Sequence, residues 1–169
     1  PGTTKPGATC GEPVTSTDFY PTILEITGTP AMPTQHVDGK SLVPLLQGKT
    51  MKRSPIFWHY PHYGNQGGEP SSIIRSGDWK LIRYYEDGRE ELYRLSKDIG
   101  EQNDLANVEP AKVSDLSQRL DKWLKQTGAK IPELDGRFDP EKKKGQLLRA
   151  STKDVERLEK QHANFLKAD

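Results

Sequence analysis

Apolar side chains are sparse along this chain and fall into a few short, well-patterned stretches, which decide what can fold. The clearest spacing lies between residues 110 and 126, where Val113, Leu116, Leu120, Trp123 and Leu124 recur at helical intervals. That interval gathers them on one side of a helix. Pro110 suits its first turn, and Gly128 its end. Between residues 55 and 95 the pattern changes to short runs dense in aromatic and β-branched residues. Pro55 to Tyr60, Ser72 to Arg75, Trp79 to Tyr85 and Glu91 to Leu95 are therefore expected strands. Ser76-Gly77-Asp78 and Glu86-Asp87-Gly88-Arg89 supply hairpin turns, because Gly and Asp tolerate the positive φ that tight hairpins need. The stretch Trp79 to Arg83 suggests one buried face and one wetter face. Together these features predict an α+β fold: a small antiparallel sheet of three to four strands covered by the amphipathic helix.

The flanks are less regular. Residues 1–13, rich in Gly, Pro and Thr, are expected to be irregular. Ser16 or Thr17 can cap a helix over 17–27, with Asp18 in its first turn, Ile23, Leu24 and Ile26 on the buried side, and Gly28 at its end. Pro30 to Lys40 reads as loop, and Ser41 to Gly48 as one or two helical turns capped by Ser41. Lys97 to Asn107 is a polar connection. Ile131 to Gly145, with Pro132, Gly136 and Pro140, reads as extended. A last helix is expected from Ser151, with Asp154 three residues on and Val155, Leu158, Phe165 and Leu166 along one side. No globular segment follows it, so it must dock back, fray or pair with another chain, which makes it the expected route to an oligomer.

Composition narrows the function classes. Of 169 residues, 32% are hydrophobic and 29% charged, so a core must come from the stretches named above. The 25 basic and 24 acidic residues leave a net charge of +1, without long-range attraction to nucleic acid or an anionic membrane. Lys142-Lys143-Lys144 reads as a solvated linker. No apolar run approaches the ~18–20 residues that span a bilayer. The single cysteine, Cys10, excludes an internal disulfide and a four-cysteine zinc site. The start shows neither an initiating Met nor a signal-peptide pattern and reads like a mid-protein loop, so the chain is expected to be a piece of a longer protein.

One stretch has the chemistry of a binding loop: His59-Tyr60-Pro61-His62-Tyr63-Gly64-Asn65-Gln66-Gly67-Gly68-Glu69. It holds two of the four histidines, with tyrosines and amides, on a Gly-rich loop after a strand. Rings offer faces to a sugar, while imidazole and amide groups can bond hydroxyls and anionic oxygens. His59, His62, Tyr63, Asn65 and Gln66 are the candidate ligand-contacting residues. A zinc site fits poorly. His59 and His62 would point to opposite faces of a strand unless Pro61 bends it, and no third ligand is near.

Four stretches in order resemble the C-terminal part of the sulfatase family, whose fold is related to alkaline phosphatase. Pro1-Gly2 followed by Pro13-Val14, Asp18 and Pro21-Thr22-Ile23-Leu24 is similar to the family's P-V-x-x-x-D-x-x-P-T-L helix. Asp38-Gly39-Lys40-Ser41-Leu42-Val43-Pro44-Leu45-Leu46-Gln47-Gly48 resembles D-G-x-S-L-x-P-L-L-x-G. Arg75-Ser76-Gly77-Asp78-Trp79-Lys80-Leu81 resembles a R-x-G-x-W-K-L strand pair. Glu91-Leu92-Tyr93-Arg94-Leu95 with Asp98 to Leu105 resembles E-L-Y-D-L-x-x-D-P-x-E-x-x-N-L, with Ile99 where Pro is usual. The match covers about residues 1–126. Asp18, Asp38 and Asp78 read as a helix-start charge and two turn residues, not as metal ligands.

The resemblance implies a parent enzyme that hydrolyses sulfate esters or sulfamates, expected on carbohydrate. For His59, His62, Tyr63, Asn65 and Gln66 it implies substrate contact. In that family a cysteine in a C-x-P-S-R type motif matures to the formylglycine nucleophile, and a calcium ion polarises the sulfate. Both belong to a larger N-terminal part. Cys10, in Cys10-Gly11-Glu12-Pro13-Val14, has neither the Pro nor the Arg of that motif, so no catalytic residue, metal site or cofactor is expected in this chain. The expected division is residues 1–50 as the end of the catalytic domain, 51–128 as the sheet-and-helix subdomain, and 129–169 as a polar extension with the terminal helix. The expected partners are the missing catalytic domain and a sulfated carbohydrate. The family's common export implies a periplasmic or secreted location. The alternative is a stand-alone, non-catalytic carbohydrate-binding or interaction module that uses the 59–69 loop.

Overall fold

The computed structural model describes residues 2–64, 68–133, 135–149, 153 and 155–165. It divides into two compact units, residues 1–131 and 132–169. In the first, the predicted strands are present: β1 (Ile56–Tyr60), β2 (Ser71–Ser76), β3 (Trp79–Tyr84) and β4 (Glu90–Arg94). They form one antiparallel sheet in the order β1-β2-β3-β4. Ser76 pairs with Trp79, so Gly77 and Asp78 alone make the first hairpin turn, and Gly77 takes a φ of 58°. Positive φ at that position is why glycine serves there.

The register explains the core. Phe57, Ile74, Leu81 and Leu92 stand opposite one another across the four strands. Onto that row packs the helix Pro110–Thr127, whose Leu116, Leu120 and Leu124 are buried with Ile74, Leu81 and Leu92. Phe57 and Trp123 stack face to face, centroids 4.9 Å apart. Gly128, at φ 63°, ends the helix in the left-handed conformation. The opposite sheet face corrects the expectation of a simply wetter side. There Ile82, Tyr93 and Leu95 are buried, with Ile73 and Tyr84 packed against them. Leu81 and Ile82 are adjacent in β3, so the strand's alternation sends one to each face, and both faces carry apolar rows.

The free edge of β4 is covered by the connection that follows it. Leu92 N–H donates to Asp104 Oδ1 at 2.9 Å, and Leu105 N–H donates to the Leu92 carbonyl at 2.8 Å. The Lys80 ammonium sits 2.7 Å from the Glu101 carboxylate, holding the same connection to β3. An edge satisfied in this way offers no unpaired strand to other chains.

Before the sheet lie a 3-10 turn (Ser16–Asp18) leading into α1 (Phe19–Ile26), and a short helix α2 (Val43–Leu46); the helix on the sheet is α3. The expected cap at Ser16 or Thr17 shifts to Thr15, whose N–H donates to Asp18 Oδ2 at 2.8 Å. The expected buried side of α1 is also corrected. Ile23 and Ile26 are 58% and 64% exposed, while Pro21 and Thr22 are the buried residues. Asp18 is no surface charge at a helix start. It is fully buried, and its Oδ1 accepts from the Lys40 N–H at 2.9 Å and from Arg53 Nη1 at 2.7 Å. Thr22 Oγ1 donates to the Asp18 carbonyl and accepts from the Leu42 N–H, both under 3.0 Å. Gly39 lies so close to the Thr17 carbonyl that a Cβ there would collide with backbone.

The second unit contains α4 (Pro140–Arg149) and α5 (Val155–Phe165). α4 corrects the extended reading of residues up to Gly145 and the linker reading of Lys142-Lys143-Lys144. Asp139 Oδ1 accepts the N–H groups of Glu141 and Lys142, and Pro140 suits the first position, so a helix starts despite Gly145. In α5, Val155, Leu158 and Phe165 are exposed. Ser151, Asp154 and Leu166 lie outside the described residues. Among the described residues, no helix is long and apolar enough to cross a membrane.

The Asp18 carboxyl titrates below its ordinary 3.8. Burial opposes its charge, but the Arg53 hydrogen bond, the two backbone N–H groups and the charge of Arg53 outweigh that penalty. A depressed carboxylate contributes stability above its unfolded pKa and loses it as pH falls through the folded value. Asp18→Ala is expected to cost about 3–5 kcal/mol at neutral pH, because it leaves a buried guanidinium unpaired. Urea unfolding should show that gap and its narrowing below pH 3.8; equal midpoints at neutral pH would contradict the role.

Candidate functional site

The site is built where β1 gives way to the loop returning at β2. Tyr60 pairs with Ser71, so the residues between them leave and re-enter the sheet side by side. The described parts of this loop are tied to the β3–β4 turn. The Tyr63 hydroxyl donates to Glu86 Oε2 at 2.9 Å, and Arg89 Nη2 donates to Glu69 Oε2 at 2.6 Å. Tyr85 N–H donates to the Pro70 carbonyl at 2.9 Å, and Gly64 N–H to that of Gly68 at 3.4 Å.

Arg89 is the centre of these ties. It also donates to Asp87 Oδ2 at 2.8 Å and Glu91 Oε1 at 3.2 Å, and its guanidinium lies 3.6 Å from the Tyr84 ring centroid. Partial burial works against its charge, but the carboxylates of Glu69, Asp87 and Glu91 hold its pKa above the usual arginine value. Burial and the Glu91 charge push the phenols of Tyr84 and Tyr93 up, so both stay neutral hydrogen-bond donors to Glu91.

The described candidate residues, His59, His62 and Tyr63, do not form one cluster. His59 is half-buried on the α3 face: Nδ1 lies 2.7 Å from Ser72 Oγ, and Nε2 lies 3.0 Å from the Lys130 carbonyl oxygen. His62 is exposed, with its ring edge-on to Tyr60 at 5.4 Å. Tyr60 follows His59 on the strand and so points to the other face. Tyr63 is 61% exposed. Asn65 and Gln66 lie outside the described residues. Sequence reasoning missed Glu86 and Arg89, which hold the loop from a turn twenty residues away; only the acidic and basic residues flanking Asp87-Gly88 hinted at them.

Among the described residues, no three His, Cys, Asp or Glu side chains come together as metal ligands. The described residues therefore do not fit a calcium ion. Cys10 is exposed. A second concavity, of about 460 Å³, lies beside β1 between Thr15, Asp38, Lys40, Arg53, Trp58 and Trp123. Its two cations are engaged: Arg53 by Asp18, and Lys40 Nζ by the Lys52 carbonyl at 3.1 Å.

Residues 1–130 match the family described as N-sulphoglucosamine sulphohydrolase, C-terminal. The chain belongs to this family of sulfatase C-terminal domains. A sulfatase of Formosa agariphila is 37% identical over 119 residues, covering 64% of this chain and 22% of that protein. Of two similar solved structures, one is a 2-O glycosaminoglycan sulfatase, with a TM-score of 0.59, 26% identity, and coverage of 73% of this chain and 27% of the other. The second, a protein in complex with its substrate D-glucosamine-2-N,6-O-disulfate, gives a TM-score of 0.54 and 31% identity over 64% of this chain and 23% of the other. The chain thus spans about a quarter of the length of such relatives.

Arg89→Met is expected to free the loop without loosening the core. Hydrogen exchange should quicken at Tyr63 and Gly64 while amides of β2 and β3 keep their protection. Unchanged exchange at Tyr63 and Gly64 would contradict the tie.

Proposed function

We propose that this chain is the C-terminal part of an enzyme that hydrolyses sulfate esters or sulfamates on carbohydrate, and that its 60–69 loop contacts the sugar. The observation that carries this reading is the family match over residues 1–130. In this reading residues 1–50 close the catalytic domain, 51–128 form the subdomain beside it, and 129–169 extend from it, with the last helix as the route to self-association. The exposed apolar residues Phe19, Ile23 and Ile26 on α1 support the first assignment, since they are left for another surface to cover. The formylglycine nucleophile and calcium of the family would come from the preceding part of the protein.

The relatives support the substrate class. One acts on 2-O-sulfated glycosaminoglycan, and another binds a glucosamine carrying N- and O-sulfates. His62 and Tyr63 are exposed on a tethered loop, which suits them to meet a sugar ring or sulfate without a large ordering cost. Asn65 and Gln66 belong to the same loop and are further candidates.

The test is His62→Ala in the complete protein, assayed on sulfated disaccharides. kcat/KM is expected to fall about tenfold, the loss of one charge-assisted hydrogen bond, with the melting temperature unchanged. Wild-type kinetics would remove His62 from the site. A complete protein that binds sulfated saccharide saturably but never hydrolyses it would favour a binding module.

A further inference from the structure

His59 is one of two histidines bracketing Pro61, and its surroundings set it apart from His62. The Lys130 carbonyl, 3.0 Å from Nε2, can only accept, so Nε2 carries the proton. In the neutral ring Nδ1 is then an acceptor, and the Ser72 hydroxyl 2.7 Å away donates to it. Ser72 Oγ in turn lies 2.6 Å from the Tyr85 hydroxyl, which also stands 3.4 Å from Nδ1; with the Ser72 proton given to Nδ1, Tyr85 is the donor to Ser72. The Tyr85 ring meets the imidazole edge-on, centroids 5.9 Å apart. A directed chain therefore runs from the Tyr85 hydroxyl through Ser72 and His59 to the Lys130 carbonyl.

The chain joins four pieces of backbone. Ser72 belongs to β2, Tyr85 follows β3, Lys130 follows α3, and His59 stands one residue before the end of β1. Ser72 is fully buried, so neither water nor a ligand can replace its hydroxyl. Both ring nitrogens of His59 are used within the fold, and none is left for a sugar or sulfate oxygen.

We infer that His59 is a positioning residue: its imidazole, with a proton on Nε2, clamps the end of β1 to β2, β3 and the exit of α3, and so aims the segment that presents His62 and Tyr63. The substrate half of this inference rests on the function proposed above; the structural half does not.

Two measurements test it. In the chain itself, long-range proton–nitrogen NMR at neutral pH should show His59 as a single Nε2–H tautomer, and Tyr85→Phe should shift its Nδ1 resonance. Amide exchange from Tyr60 to Gly64 should then quicken about tenfold, the weight of one lost hydrogen bond, while α3 keeps its protection. An Nδ1–H tautomer, averaged tautomers or unmoved exchange would overturn the clamp. In the complete protein, His59→Gln, whose amide can donate to Lys130 and accept from Ser72, should keep near wild-type kinetics. His59→Phe, which keeps a ring but neither bond, should raise KM several-fold with kcat little changed. If His59→Gln raises KM as much as His59→Phe does, or if either variant loses kcat, the imidazole acts on the substrate and the positioning role is wrong. Absence of sulfate-ester hydrolysis in the unsubstituted protein would count against the proposed function alone, leaving the NMR result to decide the clamp.

Discussion

A buried carboxylate organises the first third of this chain. Asp18 has no exposed surface, yet it holds Arg53 and the backbone N–H groups of Thr15 and Lys40. Without that set of bonds, residues 15–53 would have little to fix them. α1 exposes its larger apolar residues, and α2 has only four residues. Short helices of this kind do not persist alone in water. Hydrophobic burial therefore organises the sheet and α3, whereas a charged pair with directed hydrogen bonds organises the segment leading to β1. A buried pair gives only a modest net gain in stability, but breaking one side of it is costly. The pair thus works as a geometric constraint on where Arg53, and the strand three residues beyond it, can lie.

The same division of labour recurs at the candidate site. The sheet fixes where the loop leaves and returns, and polar contacts from Glu86 and Arg89 hold Tyr63 and Glu69 at its two ends. His59 and His62 are three residues apart but do different work. One is bound within the fold through both nitrogens; the other stands in solvent against a tyrosine ring. A loop tied at both stems can meet a ligand with less loss of conformational freedom than a free one.

The strands and α3 were legible in the sequence because local pattern and tertiary role agree there. Leu116, Leu120 and Leu124 read as one stripe and are buried as one stripe. Three features were not legible. The burial of Asp18 depends on Lys40 and Arg53, twenty-two and thirty-five residues away, and no local pattern announces such a meeting. The start of α4 turned on Asp139 as a cap, a signal outweighed by the helix-breaking look of Pro140 and Gly145. The second apolar face of the sheet was hidden because Leu81 and Ile82 are neighbours, and a doubly covered strand shows no alternation. At the site, composition singled out the 59–69 stretch but could not assign faces. Strand alternation separates His59 from Tyr60, and the partners of His59 come from β2, the end of β3 and the residues after α3.

The proposed function puts the loop after β1 against the sulfated sugar, and from that contact we propose that the loop chooses it. The most direct test exchanges residues 61–69 in the complete protein for the corresponding segment of a relative with a different sulfate preference. kcat/KM would then be measured on 2-O-, 6-O- and N-sulfated saccharides. The account predicts that the preference follows the exchanged loop while the protein's melting temperature stays the same. An unchanged preference in a folded, active protein would contradict it and place substrate choice elsewhere.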